Sequence, residues 1–271
     1  MPITIQAALL GIVQGLTEFL PVSSTAHLIL ARALFGFDAD AFGLPFDVAC
    51  HIGTLIAVLV YFRATIARMI AALPDLFHPA RDEMARLVWL LVIGTIPAVV
   101  AGALFNHVIE DTLRTVPVIA ASLAIVGVGL FWADRAGAKL RDERTITYGE
   151  AFMIGCAQAV ALIPGVSRSG ATLIAALFIG LRRRDAAEFI FLLSVPAILA
   201  AAVHEAPKAM RAMGGLPGEG TLFVIGIVSS AVIGYFAVKY FIRYLANHSL
   251  DPFAWYRLAL AAAAVIWLWR A

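Results

Sequence analysis

Three stretches of this chain, Leu87–Phe105, Val116–Ala133 and Thr221–Val238, run for at least 18 residues without a charged side chain. Each is long enough to cross the hydrocarbon core of a bilayer as a helix. In that medium, only helices and closed barrels satisfy every backbone polar group. Composition agrees: 62% of residues are hydrophobic and 14% charged, against about half and about a quarter in a soluble domain. The chain is therefore expected to be an all-α polytopic membrane protein, with residues 1–271 as a single integral membrane domain. The net charge of +2 sits in short loops, where it reports topology and offers no nucleic-acid surface. Met1 to Gln6 contains no basic residue, which predicts no cleavable signal peptide. Cys50 and Cys156 lie in apolar segments with neither disulfide nor metal spacing and are read as packing residues.

Two apolar segments are broken by polar residues. Gly11–Leu30 carries Gln14, Thr17, Glu18, Ser23, Ser24, Thr25 and His27, and Ala157–Gly180 carries Arg168. Ionisable groups at membrane depth are costly and mark functional sites by default. An offset of 144 residues pairs Gln14 with Gln158, Val22 with Val166, Ser23 with Ser167 and Thr25 with Ser169. It sets Glu18 against Leu162 and Ser24 against Arg168, so the frame is shared and the charges are not. Gly94–Gly102 likewise resembles Gly226–Gly234. Two halves, about 1–140 and about 145–271, are the expectation.

Charge in the loops sets the orientation. If each broken segment is re-entrant, the spans fall at about 46–62, 87–105, 116–133, 186–203, 221–242 and 253–269. One set of alternate loops then holds twelve basic residues, including Arg63, Arg81, Arg135, Lys139 and Arg182 to Arg184; the other set holds four. The positive-inside rule places the richer set in the cytoplasm and both termini outside, with Asp38 outside and Asp142 inside. Each half has one re-entrant helix pair and three spans, and three is odd, so the halves form an inverted-topology repeat. Arg257, inside the last span, is expected to snorkel or to lie near an end.

In the first break, Pro21 disfavours helix at Leu20, and Ser23 suits the N-cap of a second half-helix running to about Leu34. Pro164, Gly165 and Ser167 repeat the design, with a helix to about Phe178. Two half-helix N-termini would meet near the midplane and form an anion site. Hydroxyls of Ser23, Ser24, Thr25, Ser167, Ser169 and Thr172 add donors, and Arg168 adds a bidentate clamp suited to phosphate. Gln14 and Glu18 share one helix face. Glu18 could hold a divalent cation against phosphate, orient His27, or transfer a proton. His27 is a candidate nucleophile or the base for Ser24. The plain alternative is that Glu18 and Arg168 form a structural bridge, and that the hydroxyls pack helices. Asp47 and His51, four apart on the next helix, could face the cavity, but are read first as a cap or as snorkelling near the outer surface. His78, His107, His204 and His248 are read as surface loop residues.

Gln14, Glu18, Pro21, Ser23, Ser24, Thr25 and His27, followed by Pro164, Gly165, Ser167, Arg168, Ser169 and Thr172, resemble the two motifs of the bacterial undecaprenyl-pyrophosphate phosphatase family, the bacitracin-resistance type. The resemblance implies a multi-pass enzyme of the bacterial inner membrane that recycles the lipid carrier of peptidoglycan synthesis. Its substrate would be undecaprenyl diphosphate, and its site would open to the periplasm. It implies a divalent cation, magnesium or calcium, with Glu18 as a metal ligand. Glu18, His27, Arg168 and Ser24 would be catalytic; Gln14, Ser23, Thr25, Ser167, Ser169 and Thr172 would bind substrate. Gln14 leaves Glu18 as the only carboxylate of its motif. A homodimer is compatible with the sequence. The rival reading is a transporter or flippase of phosphorylated polyprenyl lipids.

Overall fold

The computed structural model describes residues 1–37, 42–79, 82–212 and 219–270; Asp38 and Arg81, used above for orientation, lie outside them. The described residues form helices joined by short connections. α1 (Ile3–Phe19) and α2 (Ser24–Phe35) make the first broken pair, followed by α3 (Leu44–Tyr61), a short α4 (Arg63–Ala71), α5 (Glu83–Asp111) and α6 (Val116–Ala136). α7 (Tyr148–Val160) and α8 (Arg168–Phe178) make the second pair, followed by α9 (Arg183–Ala212), α10 (Glu219–Leu245) and α11 (Asp251–Arg270). Six helices, α3, α5, α6, α9, α10 and α11, are long and apolar enough to cross a membrane. They fall on the six expected spans, with ends that extend by a few residues. α4 was not foreseen, and His107 and His204 lie within α5 and α9 rather than in loops.

The breaks form where the sequence places them. α1 stops at Phe19, and Leu20 is extended (φ −73°, ψ 144°), the conformation that Pro21 imposes on the residue before it. Ser23 then caps α2 by accepting from the Ala26 amide, and Ser167 caps α8 by accepting from the Gly170 amide at 3.1 Å. Both cap serines have positive φ, 75° and 74°. Non-glycine residues rarely adopt that conformation, and it persists where surrounding structure over-determines it. The Thr147–Glu150 capping box starts α7.

Partners are exchanged between the halves. α1, the first half-helix, packs on α10, the middle span of the second half; α7 packs on α5, the middle span of the first. α3 packs on α9 and α10, and α6 on α11. Glycines permit the closest approaches: a Cβ on Gly155 would sit 2.3 Å from the Gly94 carbonyl oxygen, and one on Gly53 2.3 Å from that of Ile227. The outer surface is apolar, with Leu9, Ile12 and Leu16 of α1 and Val224, Val228 and Val232 of α10 all exposed. Such stripes suit contact with lipid tails, which take the place of water around these helices.

Arg257 corrects the sequence reading. It neither snorkels nor lies at an end, and it is fully buried among the largest side chains of the core. Its guanidinium donates to five backbone carbonyls: Pro21 (3.0 Å), Ser122 (3.2 Å), Leu123 (3.2 Å), Gly165 (2.7 Å) and Val166 (3.1 Å). Three of these acceptors, Pro21, Gly165 and Val166, lie in the turns at the two breaks, and the other two, Ser122 and Leu123, lie on α6.

Candidate active site

The two breaks face one cavity of about 570 Å³. Its polar end is lined by Glu18, Ser23, Ser24, Thr25, His51, Ser167 and Arg168. Its walls are small and apolar, with Ala98, Val99, Gly102 and Ala103 from α5 and Ala197, Ile198 and Ala200 to Val203 from α9. It runs on to Leu44, Asp47, Arg114 and His204, which mark the end where α2–α3, α5–α6 and the C-terminal part of α9 lie.

Glu18 is the centre of the polar end. It is buried, and both oxygens carry donors. Arg168 Nη2 donates to Oε1 at 2.6 Å. Ser24 Oγ donates to Oε2 at 2.7 Å, and Gln14 Nε2 donates to the same oxygen at 3.0 Å. His51 Nε2 lies 3.4 Å from Oε2. A buried carboxylate persists only when paired and hydrogen-bonded, and this one meets both conditions. Ser169 Oγ donates to the Leu20 carbonyl (2.9 Å) and approaches that of Glu18 (3.3 Å), tying the start of α8 to the first break.

The expected site residues therefore divide. Glu18, Ser23, Ser24, Thr25, Ser167 and Arg168 line the cavity, and Gln14 lies buried directly behind Glu18. Ser169 clamps the breaks together, and Thr172 donates to the Arg168 carbonyl at 2.7 Å within α8. His27 is not among the cavity residues. Its Nδ1 is bound to the Ser23 carbonyl (2.7 Å), which makes Nδ1 the donor, and its Nε2 accepts from Tyr256 Oη (2.7 Å). The two rings stack, 5.6 Å apart. The histidine beside Glu18 is His51, oriented by its Nδ1 on the Asp47 carbonyl at 2.8 Å.

Asp47 and His51 are thus site residues that the sequence reading set aside. Asp47 is buried; it pairs with Arg32 and lies 3.6 Å from Arg114. The available signal was their spacing: four residues apart on α3, they share one face, and that face meets the break. Among the described residues no group of three His, Cys, Asp or Glu side chains could hold a metal ion. Oxygen donors are nevertheless present. Gln14 Oε1 is buried without a hydrogen-bond partner, close to the Glu18 carboxylate that its own amide nitrogen contacts. A carboxylate and an amide carbonyl are hard oxygen ligands of the kind that magnesium and calcium take.

Comparison with known proteins bears directly on this arrangement. The family described as bacitracin resistance protein BacA matches residues 7–263. Undecaprenyl-diphosphatase of Rubrobacter xylanophilus is 45% identical over 95% of this chain and 96% of its own. The protein of the same name from Trichlorobacter lovleyi is 43% identical over 94% and 93%. That from Moorella thermoacetica is 42% identical over 98% and 99%. Both broken segments lie inside residues 7–263, the part of the chain that the family matches, and the chain belongs to the BacA family of bacitracin resistance proteins.

Proposed function

We propose that this chain is a membrane-embedded undecaprenyl-diphosphatase in which Ser24 is the attacking group, Glu18 its base and Arg168 the phosphate clamp. The enzyme converts undecaprenyl diphosphate to undecaprenyl phosphate and inorganic phosphate, returning the lipid carrier to cell-wall synthesis. One observation carries the assignment of roles: Ser24 Oγ donates to Glu18 Oε2 at 2.7 Å, while Arg168 holds the other carboxylate oxygen, all at the polar end of one apolar-walled cavity.

The diphosphate occupies the polar end, between the N-termini of α2 and α8, whose amides and dipoles favour anions. Its terminal phosphoryl competes with Glu18 for Arg168, a planar donor matched to phosphate. Release of that contact frees Glu18 to take the Ser24 proton. Ser24 Oγ then bonds to the terminal phosphorus, and the bridging P–O bond breaks with its electrons on undecaprenyl phosphate. Water next attacks the serine phosphate, the P–Oγ bond breaks, Glu18 returns its proton to Ser24, and inorganic phosphate leaves. Arg168 and the two helix ends stabilise the spread charge in both steps. His27 is not among the cavity residues and both of its ring nitrogens are engaged, so the role given to it here is support of the Ser23 turn rather than attack on phosphorus.

Glu18 and Gln14 Oε1 are the groups that would hold magnesium or calcium, and the ion's contribution would be to neutralise diphosphate charge beside a carboxylate. The prenyl tail fits the Ala- and Gly-rich wall between α5 and α9. The exchange of packing partners between the halves supports an inverted repeat, and the sparse basic residues at the cavity's open end support a periplasmic mouth. The same exchange favours lipid movement as a second reading.

The test is phosphate release from a C15 diphosphate by purified protein. Ser24→Ala and Arg168→Ala should each lower turnover by at least about 100-fold, and His27→Ala by no more than about 10-fold. Trapped phosphate on Ser24 would support the covalent route. Full turnover in Ser24→Ala would overturn it. Absence of any release, with lipid movement across proteoliposomes, would favour the transporter.

A further inference from the structure

We infer that Arg257 of α11 is a positioning residue for this reaction, holding the two broken segments in one register and turning their carbonyl oxygens away from the phosphate; the inference rests on the diphosphatase reading above. A break in a helix exposes both kinds of backbone group. The first half-helix ends in carbonyls and the second begins in amides. An anion needs the amides and is repelled by the carbonyls, so a site built from two breaks must separate them.

Arg257 takes up carbonyls of the turns that join the two kinds of helix end. Its acceptors at the breaks are Pro21 O, two residues before the cap Ser23, and Gly165 O and Val166 O, two and one before the cap Ser167. Those two serines carry the matched positive φ angles of 75° and 74°. One side chain from a third helix therefore grips the residues that lead into both strained caps. Its remaining bonds, to Ser122 O and Leu123 O, fix it to α6.

The charge makes the choice of residue intelligible. Arg257 is fully buried, and each hydrogen-bond acceptor recorded for it is a backbone carbonyl. A buried cation without a carboxylate is costly, so a neutral side chain would serve better if packing alone were needed. All three guanidinium nitrogens donate, Nε to Leu123 O, Nη1 to Pro21 O, and Nη2 sharing its two N–H groups among Ser122 O, Gly165 O and Val166 O; lysine offers three donors from a single atom. The neighbouring Tyr256 reaches His27 and thereby the Ser23 carbonyl, so α11 braces the first break twice. Glu18 and Arg168 come from opposite breaks and meet at 2.6 Å only while those breaks keep their register.

The experiment compares Arg257→Lys and Arg257→Met with the parent protein, all purified in detergent. Folded fraction is read by thermal unfolding, and kcat and KM on a C15 diphosphate are expressed per folded molecule. The expected result is a fall in kcat of about 100-fold in Arg257→Met with KM changed by less than about threefold, since a misplacement near 1 Å has that effect. Arg257→Lys should recover part of the loss, with kcat about 10-fold below the parent. If Arg257→Met does not fold, the kcat of folded Arg257→Lys decides. A kcat per folded molecule within twofold of the parent in the folded variants would overturn the inference, as would equal kcat in both. An inactive parent would instead sink the diphosphatase reading.

Discussion

Glu18 stays charged inside an apolar bundle because donors surround it from three helices: Gln14 on α1, Ser24 on α2 and Arg168 on α8. That arrangement makes its environment sensitive to single changes. Arg168→Ala leaves a buried carboxylate without its cation and should cost about 3 kcal/mol of stability. Arg168→Lys keeps the charge, so chemical denaturation of the two variants should separate the loss of the cation from the loss of the guanidinium's shape. His51→Gln preserves a polar group beside Glu18 and should leave stability within about 1 kcal/mol while lowering kcat by about 10-fold. An unchanged kcat in that variant would return His51 to a packing role. The site was legible in the sequence where chemistry is local. Serine caps, the proline breaks and the i, i+4 pairing of Gln14 with Glu18 all follow from neighbours along the chain. His51 and Asp47 were ranked below the motif residues, and Tyr256 was not singled out, because their roles depend on contacts with other helices, as with His51 and Glu18, Asp47 and Arg114, or Tyr256 and His27. Periodicity within a helix says which residues share a face, and it does not say what that face meets.

At the scale of elements, the span helices were readable because lipid imposes length and apolarity on each one independently. Their pairing was not, since apolar surfaces carry no address. Small residues supply it instead. Gly155 of α7 approaches the backbone of α5 so closely that an added methyl would meet the Gly94 oxygen at 2.3 Å. Gly155→Ala should therefore destabilise the α5–α7 contact by about 1–3 kcal/mol, read as a lowered midpoint in detergent unfolding. Gly149→Ala, where an added Cβ meets no atom within 4 Å, is the control. The start of α7 should also respond to acid. Arg141 beside Glu150 and the Thr147 amide and hydroxyl hold the Glu150 carboxyl at about 2, below its ordinary 4.5. A depressed folded value means the contribution to stability is present above pH 4.5 and is lost as pH falls toward 2. Hydrogen exchange at the first turn of α7 should accelerate across that window. Glu150→Gln should remove the dependence, and a flat profile in the parent would show that the pair is screened by solvent.

At the scale of the molecule, each half lends its broken helix to the other: α1 lies on α10, and α7 on α5. Neither half can build the site alone, because the carboxylate comes with the first break and the guanidinium with the second. The inverted repeat proposed above would bring the two breaks from opposite faces into one cavity, and would tie the direction of the cavity mouth to the direction of the whole chain. The mouth runs toward Arg114 and Leu44, and the opposite face carries the cluster of Arg141, Arg144, Arg182 and Arg183 with Asp134, Asp142 and Glu150. The positive-inside rule puts that cluster in the cytoplasm. The prediction is made on single cysteines at Thr112, in the α5–α6 connection, and at Arg144, before α7, both exposed, in a chain carrying Cys50→Ala and Cys156→Ala. In intact cells, a membrane-impermeant maleimide should label Thr112→Cys and leave Arg144→Cys unlabelled until the membrane is opened. The reverse pattern would place the mouth in the cytoplasm, where the enzyme would meet lipid diphosphate made inside the cell rather than that released after the outer steps of wall assembly. Equal labelling of both sites before permeabilisation would mean that the chain inserts in two orientations, and the charge difference between the loops would then be too small to set one.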